Sequence, residues 1–186
     1  MTKETHLTSK GVEVKSKEEL YFSWWLDELE DNGIIESYGY EPKTFKLSDA
    51  AHYTKTVQMK TKSKIVTRTL LQPHSYTPDF QIHWHKDMDF IHSWCGLSWV
   101  DVKGGYSKNF NDTAFPLNQK WMYDKFGIYV EKVVSGSSTY KNSKKELVIK
   151  KGLFAKTFTP KRYLLTDKSN KPRKINFKVT LLEDIL

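Results

Sequence analysis

The chain has 186 residues, with 30 Lys and Arg against 22 Asp and Glu, and its formal charge of +8 favours polyanionic partners. A single cysteine, Cys95, excludes an internal disulfide and any multi-cysteine zinc site. With no apolar run of membrane-spanning length and no N-terminal signal pattern, the expectation is a soluble cytoplasmic protein, one domain with an appendage.

Residues 1–15 are polar and read as a flexible arm. From Lys17 to Asp31 the spacing predicts a helix: Phe22, Trp25, Leu26 and Leu29 form one apolar stripe, and Asn32-Gly33 is a stop signal. Ser16 and Glu19 fit a capping box, in which serine accepts the N–H three residues on and glutamate reaches back. Glu19 also borders the apolar stripe, so its carboxylate points towards whatever the helix packs on. It is a candidate metal ligand, a role compatible with capping, whereas Glu18 is displaced by about 100°.

Strand-like pieces follow at 35–40 and 44–47, then two alternating runs at 52–59 and 65–71 joined by Lys60-Thr61-Lys62-Ser63. This basic hairpin is either a plain sheet extension or a DNA-contacting flap carrying Lys60 and Lys62.

Tyr76-Thr77-Pro78-Asp79-Phe80 comes next, with Asp79 opening the strand-like run Phe80-Gln81-Ile82-His83-Trp84; Trp99-Val100-Asp101-Val102-Lys103-Gly104-Gly105 follows. Asp101 and Lys103 lie two apart in a β-branched run, so on a strand both leave the same face. An adjacent strand brings Asp79 beside Asp101. Two carboxylates and a lysine so placed suit divalent-metal cleavage of a phosphodiester, an anion whose hydrolysis needs charge neutralisation and a positioned water. Pro-Asp turns and Lys-Gly-Gly strand exits are also common in chains without such chemistry. His83 and His85 flank Trp84 and read as strand residues rather than ligands.

Beyond Gly104-Gly105 a polar loop leads to a helix over about 116–126, ended by Gly127, and a strand over 128–134. Strand, helix, strand in this order suits a mixed sheet with a right-handed crossover. On the helix Gln119, Lys120 and Tyr123 either approach the phosphate or form ordinary amphipathic surface. Ser135-Gly136-Ser137-Ser138 reads as a hinge into a basic tail with Lys161, Arg162 and Arg173 among its cations, interleaved with aromatics such as Tyr163. Such a tail suits phosphate contacts and stacking on bases.

The order of helix glutamate, Pro-Asp and Asp-x-Lys resembles the PD-(D/E)xK nuclease superfamily and, within it, the phage endonuclease I family of Holliday-junction resolvases. The segments that carry the resemblance are Ser16 to Leu20, Leu29 to Tyr38, Tyr76 to Phe80 and Val100 to Gly104. It implies a restriction-endonuclease-like α/β core, a central mixed sheet flanked by helices, over 16–134, with a basic extension over 135–186. It implies that Glu19, Asp79, Asp101 and the Val102 carbonyl bind Mg²⁺, with Mn²⁺ as a substitute, and that Lys103 assists the attacking water. It further implies a homodimer acting on branched DNA. Two departures stand out: Asp101 occupies a position where the phage family usually has glutamate, and Lys86-Asp87-Met88-Asp89 looks like an inserted turn. Another endonuclease of the same superfamily (restriction, transposon-end or nicking) shares every one of these motifs, and a non-catalytic DNA-binding protein needs none of them.

Overall fold

The computed structural model describes residues 5–85, 95–103, 114–134, 139–141, 147–149, 159–165 and 179–184, together with positions 172 and 186. The inserted turn at Lys86, the glycine pair and polar loop after Lys103, the hinge at Ser135 and Arg173 lie outside these residues. The protein is a mixed α/β fold around a four-stranded sheet.

Helix α1 spans Lys17–Asp31, as its sequence signals predict. Ser16 stands at its N-cap and its Oγ accepts the Glu19 N–H at 3.2 Å. At the other end Gly33 adopts φ 68°, a left-handed conformation that glycine takes without steric cost, and the Ile34 N–H returns to the Leu29 carbonyl at 2.9 Å.

The sheet is ordered β10-β9-β8-β3, from Val130–Val134 (β10), Leu97–Lys103 (β9), Phe80–Trp84 (β8) and Ile35–Tyr40 (β3). β8 runs antiparallel to both β3 and β9, while β9 and β10 are parallel, with helix α2 (Ala114–Phe126) between them in sequence. One layer of core lies between the sheet and α1: Phe22, Trp25, Leu26 and Leu29 pack on Phe80, Ile82, Val100 and Val102. These side chains are almost wholly removed from water, each contributing about 1.5–3 kcal/mol by burial. A second layer joins Phe45, Trp99, Phe115, Met122 and Val130 beneath α2. Burying both faces of β9 explains why its sequence is mostly apolar, with Ser98, Asp101 and Lys103 as its polar positions.

Two expectations are corrected. Residues 5–15 form a small hairpin of His6–Leu7 (β1) and Glu13–Val14 (β2) whose Val14 is fully buried, not a free arm. Within the C-terminal extension, the segments that carry Tyr163 and Leu182 pack against α1. Helix α3 (Lys161–Leu164) sets Tyr163 edge-on against Tyr21 at 5.0 Å, and Leu182, in a 3-10 turn, completes the first core layer. Tyr163, expected as an exposed stacking residue, is therefore buried.

The remaining strands stand apart from the four-stranded sheet. Phe45–Ser48 (β4) pairs with His74–Tyr76 (β7), and between them in sequence rises a ribbon of Ala51–Gln58 (β5) and Ser63–Leu71 (β6). Thr139–Lys141 (β11) pairs with Leu147–Ile149 (β12).

A candidate acidic centre at the end of β8 and β9

Phe80 of β8 pairs with Val100 of β9, so the antiparallel register sets Asp79 opposite Asp101 where the two strands part. The Asp79 backbone faces the other edge of β8, where its carbonyl extends the β3 ladder by accepting the Glu41 N–H at 2.8 Å, so it offers β9 no main-chain group. Its side chain takes over: Asp79 Oδ2 accepts the Val102 N–H at 2.7 Å. In a strand the N–H and C=O of one residue leave the same edge, so the Val102 carbonyl is presented on the edge that the Asp79 carboxylate occupies.

Asp101 is 3% exposed. Its Oδ2 accepts the Tyr76 hydroxyl at 2.6 Å, and its buried Oδ1 has no hydrogen bond beyond its ion pair with the Lys103 ammonium. That pair confirms the shared face expected from the Asp-x-Lys spacing. Burial and the neighbouring Asp101 charge push the Asp79 carboxyl up to about 8, against a smaller opposing pull from Lys103. Burial and the Asp101 charge likewise raise the Tyr76 phenol, which stays a hydrogen-bond donor at any ordinary pH.

Glu19 is 8% exposed and held in place by three donors. Oε1 accepts from Ser16 Oγ at 2.8 Å; Oε2 accepts the Lys15 N–H at 2.9 Å and the Tyr40 hydroxyl at 2.7 Å. The capping role is thus realised, with the return bond falling on the Lys15 N–H one residue before the N-cap. An ionised carboxylate has about four lone-pair sites, so about one remains free. Glu19 lies close enough to raise the Asp79 carboxyl further, yet among the described residues no three His, Cys, Asp or Glu side chains form a ready metal cage. The structure brings together Asp79, Asp101, Lys103 and the Val102 backbone, with Glu19 at the margin.

The donor set fits a hard divalent cation. Two adjoining carboxylates, Asp101 buried and Asp79 half-buried, one with an oxygen that only an ammonium satisfies, repel each other unless a proton or cation lies between them. Mg²⁺ in particular is often held by one or two carboxylates while substrate phosphate and water complete its shell.

Tyr76 and Tyr40 were not among the residues expected here. Tyr76 belongs to the Thr-Pro-Asp-Phe segment, but its link to Asp101 depends on the β4–β7 pairing, which spacing along the chain does not reveal.

The expected DNA-contacting residues divide. Lys60 and Lys62 are exposed at the ribbon turn, and Lys120 is exposed on α2. Gln119 donates to the Val130 carbonyl at 2.6 Å, a packing role, while Tyr123 is exposed. Lys161 pairs with Glu183 at 2.6 Å within the C-terminal segment, while Arg162 lies 4.8 Å over the Trp24 ring and ties that segment to α1. His85 faces Glu36 at 3.8 Å, consistent with a strand-end residue rather than a ligand.

No family model, curated protein or solved structure matches the chain. The functional reading therefore rests on this chemistry and on the motifs that carry it.

Proposed function

We propose that the chain is a Mg²⁺-dependent endodeoxyribonuclease with a restriction-endonuclease-like core, and that Asp79, Asp101, Val102 and Lys103 form its centre. The observation that carries this reading is the juxtaposition of Asp79 with Asp101, with the Lys103 ammonium on the same strand face.

Asp79, Asp101 and the Val102 carbonyl would hold the metal, and Glu19 would add negative charge at its margin. The bound ion would neutralise phosphate charge and sharpen a water as nucleophile. Asp79 must shed its proton for this donor set to form. Tyr76 fixes the Asp101 carboxylate through Oδ2, and Oδ1, paired here with Lys103, is the oxygen that would be offered to the cation. Lys103, one-third exposed, is then free to orient water and meet a phosphate oxygen. The segment Val102-Lys103 thus contributes a main-chain acceptor and a cation from adjacent residues.

The resemblance to the phage resolvases makes branched DNA the leading substrate and a homodimer the leading assembly, since opposed strands of a junction need two centres. The test is incubation with a labelled four-way junction and a matched linear duplex, each with Mg²⁺ and with EDTA, followed by a denaturing gel. Metal-dependent paired cuts near the branch, with the linear duplex spared, are expected. Cutting of both substrates would remove the branch preference, and cutting of neither would overturn the nuclease reading.

A further inference from the structure

The ribbon β5–β6 has an uneven composition. Between residues 51 and 72 the charged side chains are Lys55, Lys60, Lys62, Lys64 and Arg68, with no Asp or Glu. Its register sorts most of this charge onto one side. Tyr53 pairs with Arg68, Lys55 with Val66 and Val57 with Lys64, so in strand alternation these six side chains share a face. The opposite face carries His52, Thr54, Thr56 and Gln58 against Thr69, Thr67, Ile65 and Ser63, and has no Lys or Arg.

Each cation on the charged face stands opposite an apolar or aromatic residue, which avoids directly paired like charges. Among the described residues the ribbon has no third strand, and nearly all its side chains are exposed, with Ile65 at 73%. A lone two-stranded hairpin is marginal in water and gains most from a partner. Eight paired positions give it a length of roughly 27 Å. The root of the ribbon is fixed: β4 and β7 continue it downward to the pair Phe45 and Tyr76, and Tyr76 donates to Asp101.

We propose that the Tyr53, Lys55, Lys64 and Arg68 face of the ribbon is a duplex-DNA docking arm, contacting phosphates along a groove and holding the duplex against the acidic centre at its root. The inference deepens the nuclease reading and rests on it for the role of the centre, whereas docking itself requires no cleavage. Charge complementarity selects the occupant, because a face with three cations and no acidic side chain repels cations and matches a row of phosphates. The shape agrees: the major groove, about 12 Å wide, admits a two-stranded ribbon. Contacts of this kind position the duplex without reading its sequence.

The test compares the whole protein with two variants of equal charge change, K55Q/K64Q/R68Q on the ribbon face and K10Q/K17Q/K125Q on the body. Binding to a labelled linear duplex is measured in EDTA over a salt series, and cutting is measured separately in Mg²⁺ at saturating DNA. The ribbon variant is expected to lose at least about tenfold in affinity and to flatten the slope of log K against log salt by about three, one for each phosphate contact removed. The body variant is expected to lose about twofold or less. Equal losses in the two variants would reduce the effect to bulk charge, and no loss in the ribbon variant would overturn the arm. Unchanged DNA binding with lost affinity for anionic phospholipid vesicles, or with lost self-association in sedimentation, would assign the face to a membrane or to a second copy and equally overturn it. Duplex binding that depends on the ribbon, in a protein that never cuts, would keep the arm and refute the nuclease reading alone.

Discussion

Asp79 and Asp101 face each other where β8 and β9 part, and Asp79 spends one carboxylate oxygen on the Val102 N–H at 2.7 Å. The pair is held by backbone on one side and by Tyr76 and Lys103 on the other. Its two acids differ in environment: Asp101 is pinned by a phenol and an ammonium, while Asp79 is the group that burial and repulsion keep protonated.

Replacing Asp79 by Asn keeps an oxygen acceptor for the Val102 N–H but removes the ionisable group. Cutting in Mg²⁺ is expected to fall by at least about a thousandfold, or about 4 kcal/mol of barrier, while duplex binding in EDTA is preserved. A gel-based rate and a binding isotherm on the same preparation check both halves.

The raised Asp79 carboxyl sets a pH dependence with a definite sign. The folded state binds a proton that the unfolded state has released from about pH 4 upward, so this group makes stability fall as pH rises from about 4 to about 8. Thermal melts in EDTA are expected to show that decline, Asp79→Asn is expected to remove its contribution, and saturating Mg²⁺ is expected to oppose it. Under the proposed function a metal would displace the same proton, so cutting at limiting Mg²⁺ is expected to rise with pH and level off near pH 8.

Tyr76→Phe removes one hydroxyl from beneath Asp101 with little change of shape. Groups that orient a metal-binding carboxylate typically contribute about 10–100-fold in affinity or activity. The expected outcome is a loss in that range, appearing as a higher Mg²⁺ requirement in a titration of cutting rate, together with about 1–3 kcal/mol of lost stability in the metal-free protein, because Asp101 Oδ2 is left buried without its donor.

Glu19 is the residue on which capping and catalysis can be separated. Glutamine also serves in a capping box, so Glu19→Gln should stay within about 1 kcal/mol of the parent in denaturant unfolding. Glu19→Ala strands the Ser16, Lys15 and Tyr40 donors and should cost about 1–3 kcal/mol. Reduced cutting by the glutamine variant, at unchanged stability, is the expected sign that the charge at the margin of the centre matters.

At the C-terminal segment the effect expected is on stability. Leu182→Ala opens a cavity beside α1 and should cost about 2–5 kcal/mol in denaturant unfolding.

Local chemistry made much of this architecture legible in the sequence. The ends of α1 follow from Ser16, Glu19 and Asn32-Gly33, whose signals act within a turn or two. The shared face of Asp101 and Lys103 follows from strand alternation alone. Pairing across long separations was not legible: Tyr76 reaches Asp101 only because β4–β7 and β8–β9 adopt particular registers. The N-terminal hairpin escaped notice because its strands have two residues each and bury chiefly Val14, too little for a periodic pattern. The tail misled for a related reason. Composition revealed its cations and aromatics, but contact with α1 decided that Tyr163 is core and that Arg162 covers Trp24.

Under the proposed function, Asp79, Asp101 and Lys103 together cut a phosphodiester with a divalent metal. The most direct test is a single-turnover assay on a labelled four-way junction in Mg²⁺, with the parent, Asp101→Asn and Lys103→Ala run beside an EDTA control. Cutting by the parent alone, abolished by EDTA and by each substitution while all three proteins bind the junction, is the predicted result. Equal cutting by either variant, or cutting by the parent that EDTA does not touch, would contradict the account.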